Sequence, residues 1–549
     1  MYPSVRFASA QHRKRVIARA ITCGLLLVLP SCHIPNLRQA EIGLGLPASF
    51  NGTTSSENSA QLRVDEFYND PVLTGLVCQA LATNQELKIL EEEVQVARAE
   101  IRSRRGAFLP LVGLRAGAGW DRNSAFTPLG AAEKELEYRP GKHFPATPGD
   151  SLLGLNFFIP LDIWRELRNA RDAAVQRYHA AIERRSDFVT RMVADIAENY
   201  YVLMALDKRL ETLDQTIALQ EQSLKVAKAN FDAGRGTELP VQRFQAEVRK
   251  NQSEKLLVQQ EIVEAENRIN FLAGRVPQPV ARNSAGFFEL NVNTLNVGVP
   301  AQLLLNRPDI RQAEREVAAA GLDVKVARAN FFPRLDISGV IGYQAFNPRY
   351  LFNPEAFVLN AAGELTAPLI NKAAIRADYL AANARQLESV YNYQRVILNA
   401  FTEVINRLAA VQNYSRSIEI KRQQLAALES SVDIATKLFQ AARVEYIEVL
   451  FAQRDLLEAR TVLIDTKRRQ LSAVVNAYQA LGGGSVVSCP PQDQHPDAPA
   501  PQRLPEVEPM PPPHLIKDAP EPRPANDLPA LPRLPEGGRL PTPKEPVGP

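Results

Sequence analysis

Among 549 residues, the side chains best able to do chemistry are four cysteines and six histidines, and their spacing disfavours a shared metal or a nucleophile–base pair. His12, His33, His143, His179, His495 and His514 are scattered and form no ligand pair; no two cysteines make a C-x-x-C. Walker, H-E-x-x-H and G-x-S-x-G motifs are missing, as is any G-x-G-x-x-G between a strand and a helix. The expectation is no enzyme, no cofactor and no metal. One thiol has a telling context. Arg13, Lys14, Arg15 and Arg19 precede the apolar stretch Ile21 to Leu29, and Leu29-Pro30-Ser31-Cys32 follows. A basic region, a short apolar run and a small residue before the cut make a secretory signal over residues 1–31. A cysteine directly after that cut resembles a bacterial lipobox, whose thiol is acylated as the first mature residue. An ordinary signal peptide with an incidental cysteine is the alternative; Leu29 and Ser31 fit the lipobox, and Pro30 is a less usual occupant. His33 at the next position, rather than Asp, resembles an outer-membrane address. Cys23 falls inside the signal, while Cys78 and Cys489 are expected to be plain small residues.

Lys and Arg number 64 against 61 Asp and Glu, a formal net charge of +3. That balance argues against a nucleic-acid binder acting through a basic surface. At roughly 150 residues per domain the length predicts three or four domains, or one unusually extended one. Hydrophobic residues at 45% and charged residues at 23% exclude a chain disordered throughout. Beyond the N-terminus no run of about 18 apolar residues exists, so no transmembrane helix is expected in the mature chain.

The chain repeats itself, and the repeat supplies the elements. Phe108-Leu109-Pro110, Phe158-Ile159-Pro160-Leu161 and Asn230-Phe231-Asp232-Ala233-Gly234 in the first half correspond to Phe331-Phe332-Pro333, Thr366-Ala367-Pro368-Leu369 and Leu438-Phe439-Gln440-Ala441-Ala442 in the second. Pro160 to Phe231 spans 71 residues, and so does Pro368 to Phe439. Pro110 to Pro160 is 50 and Pro333 to Pro368 is 35, so the 15-residue difference between the halves falls in one interval, which marks a loop there.

Each 71-residue interval reads as one helix. Ile196, Tyr200, Leu203, Leu206, Leu210, Leu213 and Ile217 recur every 3.5 residues on average, the period of a left-handed supercoil. At 1.5 Å per residue such a helix is about 106 Å long, too long for a compact domain. The breakers Gly234-Arg235-Gly236-Thr237-Glu238 turn the chain into a return helix, Leu239 to Leu272. The second half turns at Ala442 to Glu445 and returns through Tyr446 to Leu481.

A strand pair precedes each long helix. Val112, Leu114, Ala116, Ala118 and Trp120 face away from Arg115; Leu153, Leu155, Phe157 and Ile159 lie opposite Asn156. Leu335, Ile337, Ile341 and Tyr343 alternate with Arg334, Asp336 and Ser338, and Phe357, Leu359, Ala361 and Leu365 with Asn360, Glu364 and Thr366. Segments of about ten residues with one apolar and one polar face suit a membrane β-barrel, though a half-buried strand of a soluble sheet looks the same locally. Four strands cannot enclose a water-filled lumen, since even small barrels need about eight, so a membrane barrel would have to be shared by several chains. Residues 484–549 hold 20 of the 40 prolines and are expected to be disordered or polyproline-II.

Together these parts resemble the outer-membrane efflux proteins of the TolC/OprM (NodT) type. The residues carrying the likeness are the lipobox ending in Cys32, Asp70-Pro71-Val72-Leu73 before a helix through Ala107, Phe108-Leu109-Pro110, Phe331-Phe332-Pro333, and above all Asn306-Arg307-Pro308-Asp309-Ile310-Arg311-Gln312-Ala313-Glu314, close to the family's R-P-D-I-x-x-A-E segment. The likeness covers roughly residues 60–483. It implies a mostly α protein with membrane β-strands: a homotrimer whose chains each give four strands to one twelve-stranded β-barrel, continued by a long periplasmic α-barrel. It implies an exit duct for small solutes, docked to a periplasmic adaptor and an inner-membrane pump. The divisions expected are an extended N-terminal segment over 32–64, a first repeat over 65–274, a linker over 275–300, a second repeat over 301–483 and the tail.

In such proteins the pore narrows at the turn of the second helical hairpin. The matching residues here are Ile447, Glu448 and Phe451, with Phe451 standing where many relatives carry an aspartate. Three Glu448 side chains would favour cations, and Ile447 and Phe451 would resist wetting. Alternatively Glu448 is a solvated helix residue and Phe451 packs between helices. Gly234, Arg235, Gly236 and Arg443 at the hairpin tips are the expected adaptor contacts. Two other classes compete: an adaptor-like coiled-coil lipoprotein, which needs no strands, and a plain porin, which needs many more.

Overall fold

Capping residues explain where the helices start. Asp70 accepts hydrogen bonds from the backbone N–H groups of Val72 and Leu73, and Pro71 follows at the first helical position of α1 (Pro71–Thr83). Asn84 accepts from the N–H of Leu87 to open α2 (Gln85–Gly106), while its Nδ2 donates to the Leu272 carbonyl at 2.8 Å. One side chain thus caps two helices. The computed structural model describes residues 34–41, 43, 45, 47, 50, 57–145, 147–290, 298–441, 443–484, 487 and 489. The signal, Cys32 and nearly all of the proline-rich tail lie outside them.

Strand β1 (Leu111–Trp120) follows α2, and the insertion before β4 holds α3 (Pro128–Glu135) and a small hairpin, β2 (Glu137–Arg139) with β3 (Lys142–His143). Strand β4 (Gly149–Leu161) leads into α4 (Glu166–Asp232), 67 residues, and α5 (Leu239–Leu272), 34 residues. The second half repeats the order: α6 (Pro308–Ala329), β5 (Arg334–Ala345), β6 (Phe357–Thr366), α7 (Ala373–Gln440) with 68 residues and α8 (Tyr446–Ala480) with 35. Helices of that length span about 100 Å, as the sequence period predicts.

The turns repeat as well. Gly234, at φ +68°, donates its N–H to Phe231, and Arg235 donates to Asn230, a Schellman closure that needs the left-handed conformation glycine adopts freely. Arg443 donates to Leu438 in the same way at the second tip.

The four long strands form one antiparallel sheet in the order β1-β4-β5-β6. Each half contributes a hairpin, and β4 pairs with β5 to join them. Below the sheet α4 lies against α2, α5, α6 and α8, and α7 against α6 and α8. The main core gathers where α1, α4, α5 and α8 pass. Ile196, Tyr200, Leu203 and Leu213 of the 3.5-residue seam are buried there with Phe67, Val77, Leu471 and Tyr478. Phe67 stacks on Tyr478 at 3.9 Å.

Two sequence expectations change. The insertion is more than a loop: its hairpin seats Tyr138 and Phe144 against Phe346 and Tyr350 of the second half. Cys78 and Cys489 are a disulfide, with Cα atoms 5.6 Å apart across 411 residues, not plain small residues. The repeat produces this pairing by returning the end of α8 to the level of α1. Such a bond persists in an oxidising compartment.

Candidate conduit and gate

Register sorts the strand residues onto two faces. Cross-strand partners share a face, so Arg115 lies in one row with Gly154 and Gly342, Gly113 with Asn156 and Val340, and Pro160 with Asp336 and Glu364. That face also carries Asp150, Gln344, Ser338 and Asn360, with Leu152, Phe158, Val340 and Val358 among them, and it holds every charged residue of the four strands. The opposite face carries Val112, Leu114, Leu153, Leu155, Phe157, Ile159, Ile337, Ile341, Leu359 and Leu365. Every alternation read from sequence is reproduced.

Aromatic residues mark the ends of the apolar face. Trp120, Phe357 and Tyr343 are exposed at the end away from the helices. At the helix end Trp164 stacks on Phe332 at 4.6 Å and donates from Nε1 to the Pro333 carbonyl at 2.7 Å. The chain has only two tryptophans, and they sit at opposite ends of the band. Amphipathic rings at both margins of an apolar sheet are what a membrane interface favours. Periodicity alone did not show this pairing; the two tryptophan positions were the available signal.

At the opposite end of the molecule the two hairpin tips sit together. Phe244 and Val241 of α5, Ala227 of α4 and Val449 and Leu450 of α8 form a small buried cluster, against which Ile447 is half-buried. Glu448 and Phe451, three residues apart on α8, are exposed on the side away from that cluster, Phe451 to 50%. The structure therefore places the three expected gate residues on one contiguous patch of the first turns of α8. Gly234, Arg235, Gly236 and Arg443 are all exposed at the adjoining turns.

Just behind the tips lies a polar layer that the sequence reading missed. Asn251 donates to Gln220 at 2.8 Å and Gln453 donates to Ser223 at 3.0 Å, all four buried. Amides inside an apolar helix seam set register at some cost in stability. They join α4 and α5 of one hairpin to α8 of the other.

Arg307 of the R-P-D-I segment is a clamp. Its guanidinium grips both oxygens of Asp309, at 3.0 and 2.8 Å, and also reaches Glu403 of α7 at 3.0 Å and the Ala480 carbonyl of α8 at 2.8 Å. Three helices thus meet on one planar fork, a geometry arginine supplies and lysine does not. Lys467, 4% exposed, is bound by the Leu290 carbonyl and Gln470; burial, then the nearby Arg422 charge, lower its amine pKa to about 8. Of the histidines, His143 lies 3.6 Å from Glu137 and His179 beside Tyr178. Among the described residues no three His, Cys, Asp or Glu side chains gather as a metal site, and no helix is long and apolar enough to cross a membrane.

A sheet with one lipid-type face and one water-type face, continued by helices about 100 Å long, is the architecture of an outer-membrane channel protein. A family model described as outer membrane efflux protein matches residues 76–275 and 299–483, and the chain belongs to that family. The solvent efflux pump outer membrane protein SrpC of Pseudomonas putida is 27% identical over 472 residues, covering 84% of this chain and 97% of the relative. The cation efflux system protein CusC of Escherichia coli K12 is 28% identical over 421 residues, covering 76% and 88%. Among solved structures, the outer-membrane channel OprN aligns with a TM-score of 0.73 at 23% identity, over 83% of this chain and 99% of that one. A CusC crystal structure aligns at 0.70 and 26% identity, over 82% and 99%. The protein is an outer-membrane efflux component.

Proposed function

We propose that three copies of this chain close one twelve-stranded barrel and one α-helical shaft, forming a passive exit duct for small solutes. The observation carrying this reading is the unclosed sheet: β1 and β6 are both edges, and lipid tolerates no unpaired edge. Pairing β1 of one copy with β6 of the next removes every edge at once. The hairpin tips are then the periplasmic entrance, where Ile447, Glu448 and Phe451 form the constriction. Gly234, Arg235, Gly236 and Arg443 present exposed backbone and charge to a periplasmic adaptor, which links the duct to an inner-membrane pump. The coiled-coil alternative gives no role to the sheet.

Cys32 is the lipid-bearing N-terminus in this reading. Ile34 and Leu37 pack with Phe331 and Tyr379, directly beneath the start of β5. From there the segment runs along α7: Arg38 exchanges two hydrogen bonds with Asn383, and Phe50 stacks on Phe401. Cys32 is two residues from Ile34, at most about 7 Å along the chain, so acyl chains on it would reach the membrane margin. Several acyl chains anchor stably where one does not. Mass spectrometry of the mature protein is expected to find an acylated Cys32 as the first residue; an unmodified N-terminus at another residue would reject the assignment.

A further inference from the structure

One cation on the polar face of the sheet stands apart from every other charge. Arg334 on that face is held by Glu166 at 2.8 Å. Arg115 makes no ion pair or side-chain hydrogen bond among the described residues and is exposed. Its neighbours on the same face of β1 are Gly113 and Gly117, its cross-strand partner is Gly154, and Gly342 follows in the row. A Cβ added at Gly342 would come within 2.4 Å of the Gly154 Cα, so the backbones touch there; the row ends in Val358, and the neutral Asn156 lies over Gly113 one row away. A Cβ at Gly117 would meet nothing within 4 Å.

The carboxylates of this face are far along the strands. Asp150, held by Gln344 at 2.7 Å, is four residues from Gly154, roughly 13 Å at strand rise. Asp336 is six residues from Gly342, roughly 20 Å away. Both separations exceed the screening length of about 8 Å at physiological ionic strength.

We propose that Arg115, one per copy, forms a cationic ring midway through the barrel that favours anionic solutes and holds polyanions entering from outside. The ring rests on the three-copy duct proposed above. Twelve tilted strands spaced about 4.8 Å apart give a backbone radius of about 12 Å, and an extended arginine covers roughly half of it. Each guanidinium then stands within one screening length of the axis. No opposite charge stands on the glycine floor beside it; the side chain over Gly113 is the neutral Asn156.

The test is block of single-channel current in a planar bilayer by tripolyphosphate added on the side of the insertion loop. The wild-type trimer is expected to show voltage-dependent block. Arg115→Glu and Arg115→Ala should raise the half-blocking concentration at least tenfold, and Arg115→Lys should stay near wild type. Equal block of wild type and Arg115→Glu, or no block of a conducting wild type, overturns the ring. So does a second pattern: Arg115→Ala and Glu364→Gln both dissociating the trimer, which would make Arg115 an ion-pair partner across the copy boundary. If Arg115→Glu does not assemble, the alanine and lysine variants carry the comparison. A wild-type trimer that conducts nothing would instead reject the duct itself, and the ring with it.

Discussion

Replacing Arg307 by alanine should cost about 3–5 kcal/mol, the scale on which one partner of a buried ion cluster is lost. Arg307 is 9% exposed and holds Asp309, Glu403 and the Ala480 carbonyl together. Its removal leaves two carboxylates without their counter-charge and the last turn of α8 without its donor. Charge alone does not restore this, because lysine cannot make the two parallel bonds to Asp309. Arg307→Lys should therefore recover only part of the loss. The control is Lys437→Ala, whose ion pair with Asp433 is exposed on both sides and should change stability by less than about 1 kcal/mol. Denaturant unfolding of the purified protein, followed by fluorescence of its two tryptophans, compares the three variants. Equal midpoints for Arg307→Ala and Lys437→Ala would show that the clamp carries no weight.

Phe451→Ala is expected to raise single-channel conductance several-fold, and Glu448→Ala to lower cation preference with little or no gain in conductance. Both side chains leave the same exposed patch at the start of α8, and in the proposed constriction they would act on ions differently. Three phenyl rings at a constriction exclude water, and deleting them opens space that water fills. Three carboxylates attract cations and repel one another, so their removal changes which ion passes more than how many. Ile447, half-buried in the tip cluster, holds the base of that patch. Recordings in a planar bilayer separate the steric role from the electrostatic one. Unchanged conductance and unchanged selectivity in both variants would move the constriction elsewhere, with Arg235 and Glu238 at the first tip the next residues to replace.

Regularity made the elements legible. A 3.5-residue seam through Ile196 and Leu213 and breakers at Gly234 and Gly236 are local signals: α4 carries the seam, and α5 begins just past the breakers. The same holds for the strands, since one apolar face per strand fixes its register once the partners meet. What stayed hidden depends on contacts between distant parts of the chain. Cys78 and Cys489 carry no sign of each other across 411 residues. Gln220, Ser223, Asn251 and Gln453 read as ordinary polar helix residues until three helices bury them together. Arg307 stood out as part of a recognisable segment, but its role as a clamp needed Glu403 and Ala480 beside it. Arg115 was visible as the polar residue of its strand, with Gly113 and Gly117 on either side; that Gly154 and Gly342 lie in its row is a matter of register.

The central claim is that three chains share one pore, and oligomer mass and conductance measured on the same detergent-purified fraction test it most directly. Light scattering corrected for detergent should give the mass of three chains, and that fraction should form ion-conducting channels on insertion into a planar bilayer. A complex that has the mass of a single chain and still conducts ions would contradict the account.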